Sequence, residues 1–212
     1  VGIALPPLLF YFIYVEDRRS VSAEDEVNQP HRTALVRQYQ RPLLVTELIA
    51  LFGYEALLLR FVLVRPDLGI VAIVLGQLPL VVLAVYGHLK RHPTFDSLAV
   101  GSTWAFTVVF AVVVATPYPL TLELGGVFLA WFFIAFAGVE SRNSQDIDGY
   151  THTDKTTLAG YLGRSTTIGV VAVVKSLGVL TFWMLSGGLV AGLALGYLAL
   201  IRLFRTLTQR ET

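Results

Sequence analysis

The 212-residue sequence predicts an all-α fold, a polytopic transmembrane helical bundle with about seven spans. Three observations predict it. Hydrophobic residues make up 55% of the chain and charged residues 15%, with a mean hydropathy of +0.66. A soluble domain of this length could not cover that much apolar surface with polar groups. The apolar residues also gather into runs close to the roughly 20 residues that a helix needs to cross a hydrocarbon core of about 30 Å. Finally, Lys and Arg collect in alternate connections, the bias that marks the cytoplasmic loops of membrane proteins.

The seven runs are 1–15, 43–64, 68–86, 97–115, 119–139, 166–185 and 189–204. The first is short and starts on Val1, with no initiator Met and no basic region ahead of it. It does not read as a signal peptide, and the true start is expected upstream. The second carries Glu47, Glu55 and Arg60. An ionisable group at the bilayer centre costs at least ~2.5 kcal/mol, so these should face the bundle interior. Glu47 and Arg60 lie near the ends of the run and can snorkel. Glu55 is more central and serves either a polar cavity or an ion pair with Arg60. Lys175, in the sixth run, invites the same two readings. The pairs Gly125–Gly126 and Gly187–Gly188, with Gly192 and Gly196, fit close helix packing.

Thirteen of the sixteen cations fall on one side when the connections are assigned alternately: Arg18, Arg19, Arg32, Arg37 and Arg41; Lys90 and Arg91; Arg142, Lys155 and Arg164; and Arg202, Arg205 and Arg210. That places every long polar loop in the cytoplasm, with a prokaryotic cell membrane as the expected location. No linker or low-complexity tract divides the chain, so 1–212 reads as one domain. The absence of cysteine excludes disulfides, thiolate chemistry and iron–sulfur ligation. His88 and His92 are four apart but lack the His-Glu-x-x-His pattern, which argues against zinc. The cations lie near the membrane and are balanced by acids, so no nucleic-acid partner is expected.

Two acidic loops share the cytoplasmic face, 15–32 and 140–163, each preceded by a span and followed by a helical pair, a rough internal duplication. The plain reading is solvated connectors. A chemical reading starts from Asp17 and Asp25, which are eight apart and would fall on one face of a helix. Carboxylates so placed bind a hard cation, and Mg²⁺ uses a few of them together with substrate phosphate. In YGHLKRHPTFD (86–96), Tyr86 and Lys90 share a helix face with Arg91 adjacent, a cation pair suited to phosphate. The competing reading makes Tyr86, Lys90 and Arg91 interfacial anchors.

Three stretches resemble one family. Tyr86-x-x-x-Lys90-Arg91 resembles the Tyr-x-x-x-Lys element of the UbiA superfamily of intramembrane prenyltransferases. Asp25-x-x-Asn28-x-Pro30-x-Arg32 is similar to the end of its first aspartate-rich motif. Asp146-Ile147-Asp148-Gly149, followed by Thr157-Leu158 and Leu162-Gly163, is similar to the second. Family members typically have about nine helices, so this chain looks short by about one at each end. In the family's register the first-motif positions are Asp17, Val21 and Asp25, and the second-motif positions are Arg142, Asp146 and Tyr150. Three of six motif carboxylates are retained.

The resemblance implies an Mg²⁺-dependent transfer of an isoprenoid chain from a prenyl diphosphate to an aromatic or lipid acceptor among the membrane lipids. Asp17, Asp25 and Asp146 would hold metal, Asn28 and Arg32 would bind substrate, and Lys90, Arg91 and Tyr86 would act on the leaving diphosphate. Neighbouring Glu16, Glu24, Glu26, Glu140, Asp148 and Asp154 are possible substitutes for the missing carboxylates. Two alternatives stand beside it. One keeps the fold but binds an isoprenoid lipid or a partner without turnover. The other is a small transporter whose pathway is lined by Glu55 and Lys175.

Overall fold

The computed structural model describes residues 4–21, 25–26, 29–89, 92–116, 121–147 and 157–186, with isolated positions beyond. Among the described residues there are helices and no strands. Helix α1 (Leu5–Arg19) starts on a Pro-Pro pair, whose missing N–H groups cost nothing in a first turn. It ends on Arg18 and Arg19, where cations suit the negative end of the helix dipole. Helix α2 (Pro30–Gln38) also begins on proline and passes through Tyr39 into α3 (Gln40–Val64). Pro66 stops α3 by pushing Arg65 out of helical geometry, to φ −122° and ψ 73°.

The next crossing is made of two helices. Helix α4 (Gly69–Gly76) and α5 (Leu78–Leu89) meet at Gln77, because Pro79 has no N–H with which to continue the ladder. Helices α6 (Phe95–Ala115) and α7 (Leu122–Asn143) follow. The short α8 (Leu158–Leu162) is capped by Thr157, whose hydroxyl accepts from Gly160 N at 3.0 Å. Gly163 turns the chain at φ +77°, a conformation that favours glycine, into α9 (Arg164–Ser186).

Four stretches of the described chain are long and apolar enough to cross a membrane: Gly69–His88, Phe95–Ala115, Leu122–Asn143 and Arg164–Leu185. They match the third to sixth expected runs. The first run corresponds to the 15-residue α1, and the second lies within the 25-residue α3, which is long enough but carries charges. The seventh falls largely outside the described residues.

Helix α7 packs along α6 on one side and α9 on the other, α1 lies along α3, and α6 joins the two groups by touching α1, α3, α4 and α5 as well. Leu5 and Leu9 of α1, Tyr54 and Leu58 of α3, Ala72 of α4 and Phe110, Ala111 and Val114 of α6 form the buried apolar cluster. Tyr54 donates its hydroxyl to Gly76 O at 2.8 Å, satisfying a carbonyl that the break at Gln77 frees. This cluster uses the start of α1 and the end of α6, so it closes one end of the bundle. Their other ends, Asp17 and Asp96, lie at the opposite end.

Two expectations change. Of the glycines expected at close packing, Gly126 is one, since a Cβ there would lie 2.7 Å from Leu185 Cδ2, but a Cβ at Gly125, Gly192 or Gly196 would meet no described atom within 4 Å, and Gly187 and Gly188 lie outside the described residues. Other close approaches were not expected. A Cβ on Gly178 would lie 2.9 Å from Ile134 Cγ1 and 3.1 Å from Ala130 O, and one on Gly101 would lie 3.3 Å from Phe136 N. Spacing of four identifies a small-residue face but not whether another helix lies on it. Glu47 does not snorkel. It is 3% exposed and accepts from Arg19 Nε at 2.5 Å, binding α3 to α1.

Gly178→Val should destabilise the bundle by about 1–3 kcal/mol, because a backbone oxygen cannot yield to the added methyls. A thermal melt in detergent measures it, with Gly169→Val, in open space, as the control. Arg19→Ala strands a buried carboxylate and should cost about 3 kcal/mol, most of it recovered when Glu47→Gln is added.

Candidate functional site

The end of the bundle opposite the apolar cluster opens into a cavity of about 460 Å³. Its deep wall is apolar: Phe10 and Ile13 of α1, Val82 and Leu83 of α5, Val100 and Trp104 of α6, and Ala135 and Val139 of α7. Phe10 and Trp104 stack with ring centroids 4.1 Å apart. Its mouth is polar. Asp17 and Arg18 come from the end of α1, Asp25 and Gln29 from the segment before α2, and Tyr86 from the end of α5. Asp96 comes from the start of α6, and Arg142, Asn143 and Asp146 from the end of α7. Helix ends separated by more than a hundred residues thus converge on one face, as the alternating charge bias requires.

Asp17, Asp25, Tyr86 and Asp146, all expected site residues, line this single cavity. The route differs from the expected one. Asp17 and Asp25 do not share a helix, because α1 stops at Arg19 and the chain turns at Ser20. Arg32 does not line the cavity but hydrogen-bonds Asp25 from behind. Val21, at a motif position, is likewise not among the lining residues. Asn28, Lys90, Arg91 and Tyr150 lie outside the described residues.

Each motif carboxylate is matched by an arginine. Arg18 lies 3.8 Å from Asp17 and 3.7 Å from Asp25, Arg32 donates to Asp25, and Arg142 lies 3.7 Å from Asp146. Arg18 also sits over the Tyr14 ring, 5.0 Å from its centroid. Burial lowers the Arg32 guanidinium below its ordinary value, and the positive charges of Arg18 and Arg142 lower it further, against the pull of Asp25. Arg32 therefore feels both of the other cations.

The possible substitutes are taken up elsewhere. Glu16 accepts from Arg19, Glu26 from Arg37, and buried Glu140 from Ser97, while Glu24, Asp148 and Asp154 lie outside the described residues. Among the described residues no three His, Cys, Asp or Glu side chains stand close enough to hold a metal ion. A magnesium ion needs oxygens at about 2.1 Å with little tolerance in geometry. With a guanidinium beside each of them and no third carboxylate close by among the described residues, the described donors do not fit a preassembled magnesium centre.

Sequence reading missed Asp96. It is 1% exposed, yet one of its oxygens accepts from Tyr86 OH and the other lies 3.4 Å from Asn143 Nδ2. The signal was a carboxylate one residue ahead of an apolar run. At the edge of a loop it looked solvated, whereas α6 begins early enough to carry it inside. Glu55, placed between a polar cavity and Arg60, accepts from Gln77 Nε2 at 3.1 Å to each oxygen and is not among the residues that line this cavity.

Helices that wall a hollow, apolar in its depth under a charged rim, define an integral membrane protein with a site shaped for an amphiphile. The family model of the UbiA prenyltransferase family matches residues 23–212, and the chain belongs to that family. Membrane prenyl transfer, generally with magnesium, is the activity characteristic of this family. No curated protein and no solved structure matches the chain.

Asp96→Ala strips Tyr86 and Asn143 of a buried partner. It should lower stability by about 1–3 kcal/mol, with Asp96→Asn losing less, as read by thermal melts of both variants.

Proposed function

We propose that this chain, as one domain over residues 1–212, transfers an isoprenoid group from a prenyl diphosphate to an aromatic or lipid acceptor. The observation that carries the reading is the cavity, charged at its mouth and apolar in its depth, with four expected site residues on its wall. A prenyl chain would lie against Phe10, Val100 and Trp104, where each buried methylene contributes ~0.8 kcal/mol. The headgroup would rest at the mouth among Arg18, Asp25 and Arg142. The allylic C–O bond breaks with its electron pair leaving on the diphosphate, and guanidinium groups stabilise the charge that develops there. The allylic cation is held in a water-poor hollow until the acceptor's electron pair closes the new bond and a proton is lost. The charge-bearing loops face the cytoplasm in this reading, where soluble diphosphates are made.

A second reading is favoured by the pairing of every described motif carboxylate with an arginine: a protein that binds the isoprenoid without turning it over. The two separate when purified protein is incubated with geranylgeranyl diphosphate and a lipid extract, and products are read by mass spectrometry. Release of diphosphate with a new prenylated lipid supports transfer, and saturable binding without product supports the second reading. Absence of both removes the substrate class. Trp104→Ala should weaken long prenyl diphosphates more than short ones, by about 1–2 kcal/mol between C20 and C10 donors, measured as a ratio of Kd values.

A further inference from the structure

We propose that the anionic end of the ligand is gripped directly by the guanidinium groups of Arg18 and Arg142, with Arg32 behind them, so that binding of the diphosphate persists without a divalent cation. The inference rests on the prenyl diphosphate reading above and specifies how the head is held.

Three observations carry it. First, Arg18 brings an unused donor to the cavity: its Nε is buried and has no hydrogen-bond partner among the described residues, while the side chain is only 16% exposed. A buried N–H without an acceptor costs free energy that an arriving phosphate oxygen recovers. Second, the ion pairs of Arg18 with Asp17 and Asp25, and of Arg142 with Asp146, stand at 3.7–3.8 Å. These are charge contacts longer than hydrogen bonds, so they hold the guanidinium groups near the mouth without consuming their donor forks. A guanidinium fork presents two parallel N–H groups, the geometry that phosphate accepts. Third, Arg142 lines the same cavity from the end of α7, beside Asp146, so a second guanidinium stands on the wall that Arg18 shares. A guanidinium there does by direct contact what a carboxylate does through an ion, neutralising a phosphate oxygen.

The acids at the mouth do not cancel this. Asp25 is shared by two arginines, Asp146 is held by Arg142, and Asp96 is occupied by Tyr86 and Asn143. As the diphosphate enters, its oxygens compete for the forks, and half-exposed Asp17 can turn to water.

The test is equilibrium binding to the full chain in lipid nanodiscs, with geranylgeranyl diphosphate as probe in EDTA and in magnesium chloride, and geranylgeraniol as the headless control. Wild-type Kd in EDTA is expected within about threefold of the magnesium value, a difference under 1 kcal/mol. Arg18→Ala and Arg142→Ala should each weaken diphosphate binding in EDTA about tenfold, with geranylgeraniol binding unchanged. Arg142→Asp should lose binding in EDTA and regain it with magnesium. A wild type that needs magnesium for tenfold or more of its affinity overturns the arginine grip and leaves the prenyl diphosphate reading standing. Full retention of affinity by both alanine variants overturns it too. Binding of geranylgeraniol but not of the diphosphate in either buffer removes the diphosphate reading itself. If an alanine variant no longer binds geranylgeraniol, Arg18→Lys and Arg142→Lys replace it. They keep the charge without the fork, and unchanged affinity in both overturns the grip.

Discussion

Asp25 accepts from Arg32 and lies 3.7 Å from Arg18, and this one shared carboxylate fastens the segment ahead of α2 to the end of α1. Much of the mouth follows from it. It fixes where Arg18 stands, and Arg18 in turn sits beside Asp17 and over Tyr14. In water such a contact would be worth little, because solvent screens it. At the edge of a cavity the groups are partly desolvated, so a charge left unmatched is costly and each acid is found with a partner. The same rule is obeyed deeper in, by Arg19 with Glu47 and by Gln77 with Glu55.

A gradient of polarity along the bundle follows. One end is sealed by apolar side chains from α1, α3, α4 and α6, and the other carries charges from four separate segments around a hollow. The close contacts of Gly101 on α6 and Gly178 on α9 with α7 keep the framework tight. An amphiphile fits that gradient in one orientation only, head at the mouth and tail against Phe10 and Trp104.

The fold was largely readable from sequence because the bilayer imposes run length and loop charge, and both are local properties. Asp17, Asp25, Tyr86 and Asp146 could be placed on one side by the same bias, and they do share one cavity. What sequence could not supply was pairing. Nothing local to Glu47 points to Arg19, 28 residues earlier, and nothing near Asp96 points to Asn143. The break after Arg19 was hidden too, since Ser20 and Val21 carry no strong stop signal and the Asp17–Asp25 spacing reads well on an unbroken helix. Helical spacing likewise made Gly192 and Gly196 look like a contact face, although among the described residues nothing lies within 4 Å of a Cβ at either.

Helix α3 holds two acids inside the bundle, and their partners come from different neighbours in the chain. Glu47 is answered by Arg19, which is synthesised earlier, and Glu55 by Gln77, which emerges later at the proline-broken junction of α4 and α5. In hydrocarbon neither acid is tolerable alone. The polar groups of α3 are thus matched only with a second helix on each side of it, α1 at one level and the broken α4–α5 crossing at another.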